Sequence, residues 1–287
     1  MESGARSNKL FAMPELPEVE TIRQDLASRI VGRTVVEAWV SPEAPRLVQD
    51  ETPESFCRRL AGRAVEELDR RGKYLLLRLD GGLTWIVHLR MTGGLILSAS
   101  APKESAERRF LRARFRLDDG GELCYMDLRK LGTMWLVEDE SAVVGKLGPE
   151  PLGEAFDPQV MRRLLAKRAA PVKSVIMDQH AIAGIGNIYA DESLFEAGIR
   201  PTKAGRRISR LAAERLHWAI RKVLVEALAD RGSSFRDYVD AEGEQGMHQL
   251  RVKVFRRTGE PCYVCGTLIR RIKVGGRSTH YCPRCQR

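Results

Sequence analysis

The sequence predicts a multidomain α+β protein: a strand-rich β-sandwich or barrel first, a helical domain second, and a C-terminal four-cysteine zinc unit. Three observations predict it. From Arg33 to about Val137, short β-forming runs are separated by glycine-containing turns. Beyond about Pro158 the apolar residues recur at helical spacing. Two Cys-x-x-Cys pairs then close the chain. At 287 residues there is length for two domains and ample core.

The first element is a helix. Pro17 suits a helix start, and Glu18 and Glu20 in the first turn favour the helix dipole. Val19, Ile22, Leu26 and Ile30 fall on one face, and Gly32 offers a stop. Strands follow at Thr34–Val40, Tyr74–Leu79, Thr84–Leu89, Ala113–Leu117 and Leu123–Met126, with hairpin turns at Asp80-Gly81-Gly82 and Asp118-Asp119-Gly120-Gly121. The stretch Gly145–Gly153, with Pro149 and Pro151, is the best linker. Helices are predicted at Pro158–Lys167, Val172–Gln179, Tyr189–Glu196 and Ile208–Ala229, and a polar loop at Ser233–Gly246. The expected units are therefore an extension at 1–13, non-native or removed, a catalytic domain at 14–148, a helical domain at 149–250 and a zinc finger at 251–287.

Cys262-x-x-Cys265 and Cys282-x-x-Cys285 have the spacing of one tetrahedral four-thiolate Zn2+. Pro261 and Gly266 suit the turns that aim two sulfurs at one metal. A segment this short cannot bury a core, so its fold should depend on the metal. Cys57 and Cys124 have no such partners and read as small buried apolar residues. The net charge is +10, and from Arg251 to Arg287 ten Lys/Arg face a single acid, Glu260. That balance favours a polyanionic partner. No apolar run reaches membrane-spanning length and residues 1–12 lack a signal-peptide pattern, so a cytoplasmic protein is expected.

Met13-Pro14-Glu15-Leu16-Pro17-Glu18 carries the sharpest chemistry. If translation starts at Met13 and the methionine is removed, Pro14 is an N-terminal secondary amine beside Glu15. An α-amino group titrates near 8, leaving roughly 10% neutral at pH 7, against about 0.04% for a lysine. Such an amine can form an iminium with a sugar C1′. Inside a longer chain the same nitrogen is an amide, and we take Met13 as the working start.

Four separated segments resemble the formamidopyrimidine-DNA glycosylase family (Fpg, in the Fpg/Nei superfamily). They are the Pro14 segment, Arg70-Arg71-Gly72-Lys73-Tyr74, Ala183-Gly184-Ile185-Gly186-Asn187-Ile188-Tyr189, and the cysteine unit with Arg277. Together they span nearly all of the chain after Met13. The resemblance implies a helix–two-turn–helix segment around Asn187 and a monomer acting on double-stranded DNA with damaged bases. It implies catalytic roles for Pro14 (nucleophile), Glu15 (proton transfer) and Lys73 (phosphate and charge), with Glu18 at the lesion pocket. Met91, Arg129 and Leu131 match the residues that fill the hole left by a flipped base, with Leu131 where the family has phenylalanine. Asn187 and Arg277 match residues that bind the phosphates flanking the lesion, and Gly184 and Gly186 would let backbone approach phosphate. Glu192 is expected to tie the turn together, and Ser233–Leu250 corresponds to the loop that closes over the lesion.

The implied activity is a bifunctional glycosylase and AP lyase for oxidised purines such as 8-oxoguanine and formamidopyrimidines. Two alternatives stand beside it. One is an endonuclease VIII-like enzyme for oxidised pyrimidines. The other is a catalytically silent DNA-binding protein, which follows if Pro14 is not N-terminal.

Overall fold

The computed structural model describes residues 13–98, 109–234 and 239–287; the expected extension, apart from Met13, lies outside them. Helix α1 (Leu16–Ile30) begins behind Glu15, whose extended backbone nitrogen donates to Glu18 Oε2 at 2.9 Å. Val19, Ile22, Leu26 and Ile30 are all buried, as their spacing predicts. The chain leaves the helix through Gly32, at φ +83°.

Eight strands follow: β1 (Val35–Val40), β2 (Val65–Arg71), β3 (Tyr74–Leu79), β4 (Leu83–His88), β5 (Gly93–Ser98), β6 (Leu111–Leu117), β7 (Glu122–Asp127) and β8 (Thr133–Val137). They form two antiparallel four-stranded sheets, ordered β1-β6-β7-β5 and β2-β3-β4-β8. The architecture is the sandwich, not the barrel. One apolar core lies between the sheets, with Trp85 and Phe115 ring centroids 4.3 Å apart and Phe56 edge-on to both. Phe56 comes from α2 (Pro53–Leu60), a helix the sequence reading lacks. Also missing from that reading are β2, β5 and β8, and each of these is a sheet edge. An edge strand is half solvated and needs no strict apolar alternation. Charged residues there also discourage pairing with another chain, and β2, Val-Glu-Glu-Leu-Asp-Arg-Arg, is mostly charged.

A single turn, α3 (Ser141–Val144), leads through the predicted linker into the helical domain. This contains α4 (Pro158–Ala166), α5 (Val172–Ile176), α6 (Asn187–Glu196) and α7 (Arg210–Ala229). α5 stops three residues short of prediction because the Gln179 side chain engages the next turn, bonding Ile185 O (2.8 Å) and Gly184 N (2.9 Å). Leu216, Ile220, Val223 and Leu224 of α7 pack on Ile188, Tyr189 and Leu194 of α6. Leu16 belongs to this second core, and its backbone nitrogen donates to Gly184 O at 3.0 Å. The start of α1 is thus held by the helical domain while its body packs in the sandwich. That puts Glu15 at the junction.

The zinc unit ends in a hairpin, β9 (Arg270–Val274) and β10 (Arg277–Tyr281). Glu192 is structural, but not by tying the turn as expected: its carboxylate accepts from Lys253 N (2.7 Å), Val254 N (3.0 Å) and Phe255 N (2.8 Å), tethering the zinc unit to α6. Buried Lys173 and Asp191 pair at 2.7 Å, and Lys173 also donates to Ser278 O and Thr279 Oγ1, so α5, α6 and β10 meet in one place.

Candidate active site at the domain junction

Glu15 is the centre of the site. Its carboxylate crowns the N-terminus of α6, accepting from Gly186 N (2.7 Å), Ile188 N (2.8 Å) and Tyr189 N (3.3 Å). Three amides and the helix dipole favour the anion. Burial outweighs them and raises the carboxyl to about 7; Lys73 and the amides pull it down, and Glu18 pushes it up. A carboxyl titrating near neutrality can both give and take a proton at physiological pH.

Lys73 enters β3 just after Gly72, at φ +58°. An added Cβ at Gly72 would lie 3.3 Å from Ala183 Cβ and 3.4 Å from Gly184 N, so the turn needs glycine to bring Lys73 against the helical domain. A lone lysine at a strand start is ordinarily solvated, but this one is only 4% exposed. Burial lowers its basicity, Glu15 and Glu18 raise it, and nearby Arg277 lowers it again. Among the described residues no carboxylate pairs directly with its ammonium. It is buried near enough to the Glu15 carboxylate for the charge of each to shift the other.

Glu18 is buried behind Glu15. Its Oε1 accepts from Ser233 N (2.7 Å) and from the Tyr189 hydroxyl (2.5 Å), while Oε2 holds Glu15 N. Glu18 therefore links the backbone beside Pro14 to the root of the Ser233 loop. Residues 235–238 of the expected lesion loop lie outside the described residues. Pro14 itself is buried, next to this network.

The structure corrects one expectation. Gly184 and Gly186 do not leave the α6 N-terminus open for phosphate. A Cβ at Gly186 would lie 2.3 Å from Glu15 Cδ, and one at Gly184 would lie 2.8 Å from Leu16 Cβ. The glycines make room for the Glu15–Leu16 segment, whose carboxylate takes the amides first. Asn187 opens α6 with its Oδ1 buried and without a hydrogen-bond partner. Arg277, exposed at the start of β10, lies close enough to depress Lys73.

Met91, Arg129 and Leu131 lie on neighbouring loops, β4–β5 and β7–β8. Arg129 Nη1 is 3.0 Å from Met91 Sδ, and Leu131 is 42% exposed. Met91 is not simple strand packing. Sequence reading missed Tyr189 and Ser233, which hold Glu18, and Asp127, which organises the second loop. Tyr189 carried a signal in that it sits inside a motif already singled out. The histidines make no triad or metal cluster among the described residues. His217, His248 and His280 are buried with partners Phe156 O, Asp230 and Asp191. His88, kept neutral by burial with its titration near 3, accepts from Arg90 N at 3.0 Å.

The four cysteines fit a zinc ion. Their sulfurs all lie within 4.8 Å of one another, with Cys262–Cys285 at 3.9 Å and Cys265–Cys282 at 3.4 Å. A tetrahedron with Zn–S bonds of about 2.3 Å has edges of about 3.8 Å. Bound there, Zn2+ would be structural: four thiolates leave no open position for chemistry. The unit's own apolar cluster is small, consisting of Phe195, Val254, Ile269 and the cysteines. Zinc binding is worth about 10–16 kcal/mol in finger peptides, far beyond what such a cluster supplies. Stripping the metal, or Cys282→Ser, should melt the β9–β10 hairpin and leave the sandwich folded. If Arg277 holds a phosphate as the resemblance implies, duplex affinity should fall at least about tenfold as it loses its position. Circular dichroism with a duplex-binding titration checks this, and undiminished affinity after metal loss would refute it.

A β-sandwich joined to a helical domain, with a buried acid and amine at the junction and a basic zinc hairpin beside it, defines a zinc-finger nucleic-acid enzyme of the Fpg/Nei type. Residues 13–134 match the formamidopyrimidine-DNA glycosylase N-terminal domain, 147–238 its H2TH domain, and 259–287 a zinc finger found in FPG and IleRS. The formamidopyrimidine-DNA glycosylase of Heliobacterium modesticaldum is 46% identical, over 96% of this chain and all of that protein. Among solved structures, the Fpg protein of Thermus thermophilus superposes with a TM-score of 0.84 at 38% identity, covering 95% of this chain and 98% of that one. A Lactococcus lactis Fpg mutant bound to Fapy-dG-containing DNA gives 0.87 at 37%, covering 96% and 100%. The chain belongs to the formamidopyrimidine-DNA glycosylase family.

Proposed function

We propose that this chain excises oxidised purines, 8-oxoguanine and formamidopyrimidines, from duplex DNA and cuts the abasic strand through an N-terminal Pro14 iminium. The observation that carries the reading is the Glu15 carboxylate beside Pro14, titrating near 7 and within electrostatic reach of buried Lys73. The family match that begins at Met13 supports Met13 as the working start and residues 1–12 as outside the enzyme. On this reading the chain's units are 14–148, 149–250 and 251–287. The enzyme acts as a cytoplasmic monomer on nucleoid DNA.

Pro14 nitrogen bonds to C1′ as the C1′–N bond to the base breaks; the base leaves with that electron pair and takes up the proton that the Pro14 nitrogen gives up. Glu15 gives a proton to the sugar ring oxygen as the ring opens to the iminium. The carboxylate then removes a C2′ proton and the 3′ phosphate leaves by β-elimination; loss of the C4′ proton then expels the 5′ phosphate by δ-elimination. Lys73, Asn187 and Arg277 hold the flanking phosphates. Flipping the base out costs about a few kcal/mol, and Met91, Arg129 and Leu131 occupy the vacated stack so that the flip does not reverse. Glu18 reaches the lesion pocket through its bond to Ser233.

Duplexes carrying 8-oxoguanine or thymine glycol test the reading: the first should be the preferred substrate. Preference for thymine glycol would move the chain to the oxidised-pyrimidine branch. Leu131 sets a further expectation. An aliphatic wedge fills space but does not stack, and base–aromatic stacking is worth about 1–3 kcal/mol. Leu131→Phe should therefore change the ratio of excision opposite cytosine to that opposite adenine about fivefold or more. An unchanged ratio would show that residue 131 does not contact the opposite base.

A further inference from the structure

The loops that carry Met91, Arg129 and Leu131 are built on strained backbone. Arg90 (φ +56°) directly precedes Met91, and Lys130 (φ +54°) lies between Arg129 and Leu131. Non-glycine residues in this region are costly and persist only where the surroundings hold them. Arg90 is held by His88, whose Nδ1 accepts from Arg90 N at 3.0 Å, and the Lys130 turn is held by one buried carboxylate, Asp127, at 1% exposure. Its Oδ1 accepts from the Thr92 hydroxyl (2.5 Å) and Arg129 N (3.0 Å); its Oδ2 accepts from Leu131 N (2.8 Å) and Gly132 N (2.8 Å). The Thr92 hydroxyl accepts in turn from Arg129 N at 3.1 Å. All four acceptor sites of the carboxylate are filled, and they join the Met91 loop to the Arg129–Leu131 loop.

Beneath the same loops lies Tyr125, fully buried, with its hydroxyl unpaired. A Cβ at Gly93 would meet that oxygen at 2.2 Å, and one at Gly132 at 1.6 Å. The loops can neither sink nor carry a side chain at those points.

Resting on the glycosylase reading above, we propose that Asp127 is the positioning residue of the void-filling cluster, locking Met91, Arg129 and Leu131 into the one arrangement that enters an emptied base stack. It touches no reacting atom. Its action is needed only where a duplex has a hole to fill, and a single-stranded abasic site has none.

That difference supplies the test, made on the chain beginning at Pro14. Asp127→Asn keeps the shape but sets an NH2 against backbone or hydroxyl donors on one side. Single-turnover excision of 8-oxoguanine from duplex should fall about 100-fold, while strand cleavage and borohydride trapping on a single-stranded abasic oligonucleotide should fall less than about threefold. Thr92→Val removes one donor from a half-buried side chain and should move the same ratio about fivefold. Equal losses on both substrates in both variants would make Asp127 a general fold residue and overturn the proposal, as would duplex excision unchanged in both. If the unsubstituted chain traps on neither substrate, the glycosylase reading itself fails and the proposal falls with it.

Discussion

A chain beginning at Pro14 should be trapped covalently on lesion-containing DNA by borohydride, whereas the full chain with residues 1–13 retained should not. The expected difference is more than about 1,000-fold, because an amide nitrogen has no free electron pair to bond C1′. The amine at a free terminus titrates near 8, so a tenth or so is nucleophilic at pH 7. Position matters as much as basicity. Leu16 N is held by Gly184 O, Glu15 N by Glu18, and the Glu15 carboxylate by α6, so residue 14 is carried on a backbone fixed from three sides. The measurement is gel-resolved trapping on 8-oxoguanine duplex, with the N-terminus of each chain verified by mass. Equal trapping by both chains would shift the nucleophile to another amine, with Lys73 the first to test by Lys73→Ala.

Much of this was legible in the sequence because the chemistry is local. The four-thiolate unit needs only two Cys-x-x-Cys pairs, and α1 shows its buried face as Val19, Ile22, Leu26 and Ile30. What stayed hidden depends on residues distant in sequence. Edge strand β2 has almost no apolar pattern and exists because β3 pairs with it. Gly186 looked like an opening for phosphate, and only the fold shows Glu15, 171 positions earlier, filling that space. The roles of Tyr189 toward Glu18 and of Asp127 toward two loops are likewise properties of the assembled junction. The candidate site residues carry a local sequence signal; the groups that hold them do not.

Glu15→Gln should lower 8-oxoguanine excision about 100- to 10,000-fold at pH 7.5, the usual worth of a positioned acid–base group. The pH profile identifies the cause. Excision requires Glu15 protonated, with a pKa of about 7, and Pro14 unprotonated, with a pKa near 8. The doubly competent form is only about 6% of the enzyme at its maximum, near pH 7.5, so the rate should be bell-shaped about that pH and fall nearly tenfold per unit on either side. In Glu15→Gln the alkaline fall should vanish, leaving a weak activity that rises with pH and levels off above 8. Cleavage at a pre-formed abasic site should suffer less, since its open aldehyde form needs no ring protonation and calls on Glu15 only for the C2′ proton. Stability offers an independent check. A carboxyl raised from 4.5 to about 7 on folding binds a proton in the folded state that the unfolded chain has released. Stability contributed by this group is therefore lost as pH rises from about 4.5 to 7, by about 3 kcal/mol, and the substitution should remove that slope. A profile that keeps its alkaline limb in Glu15→Gln would assign the proton to another group and leave Glu15 as a helix cap alone.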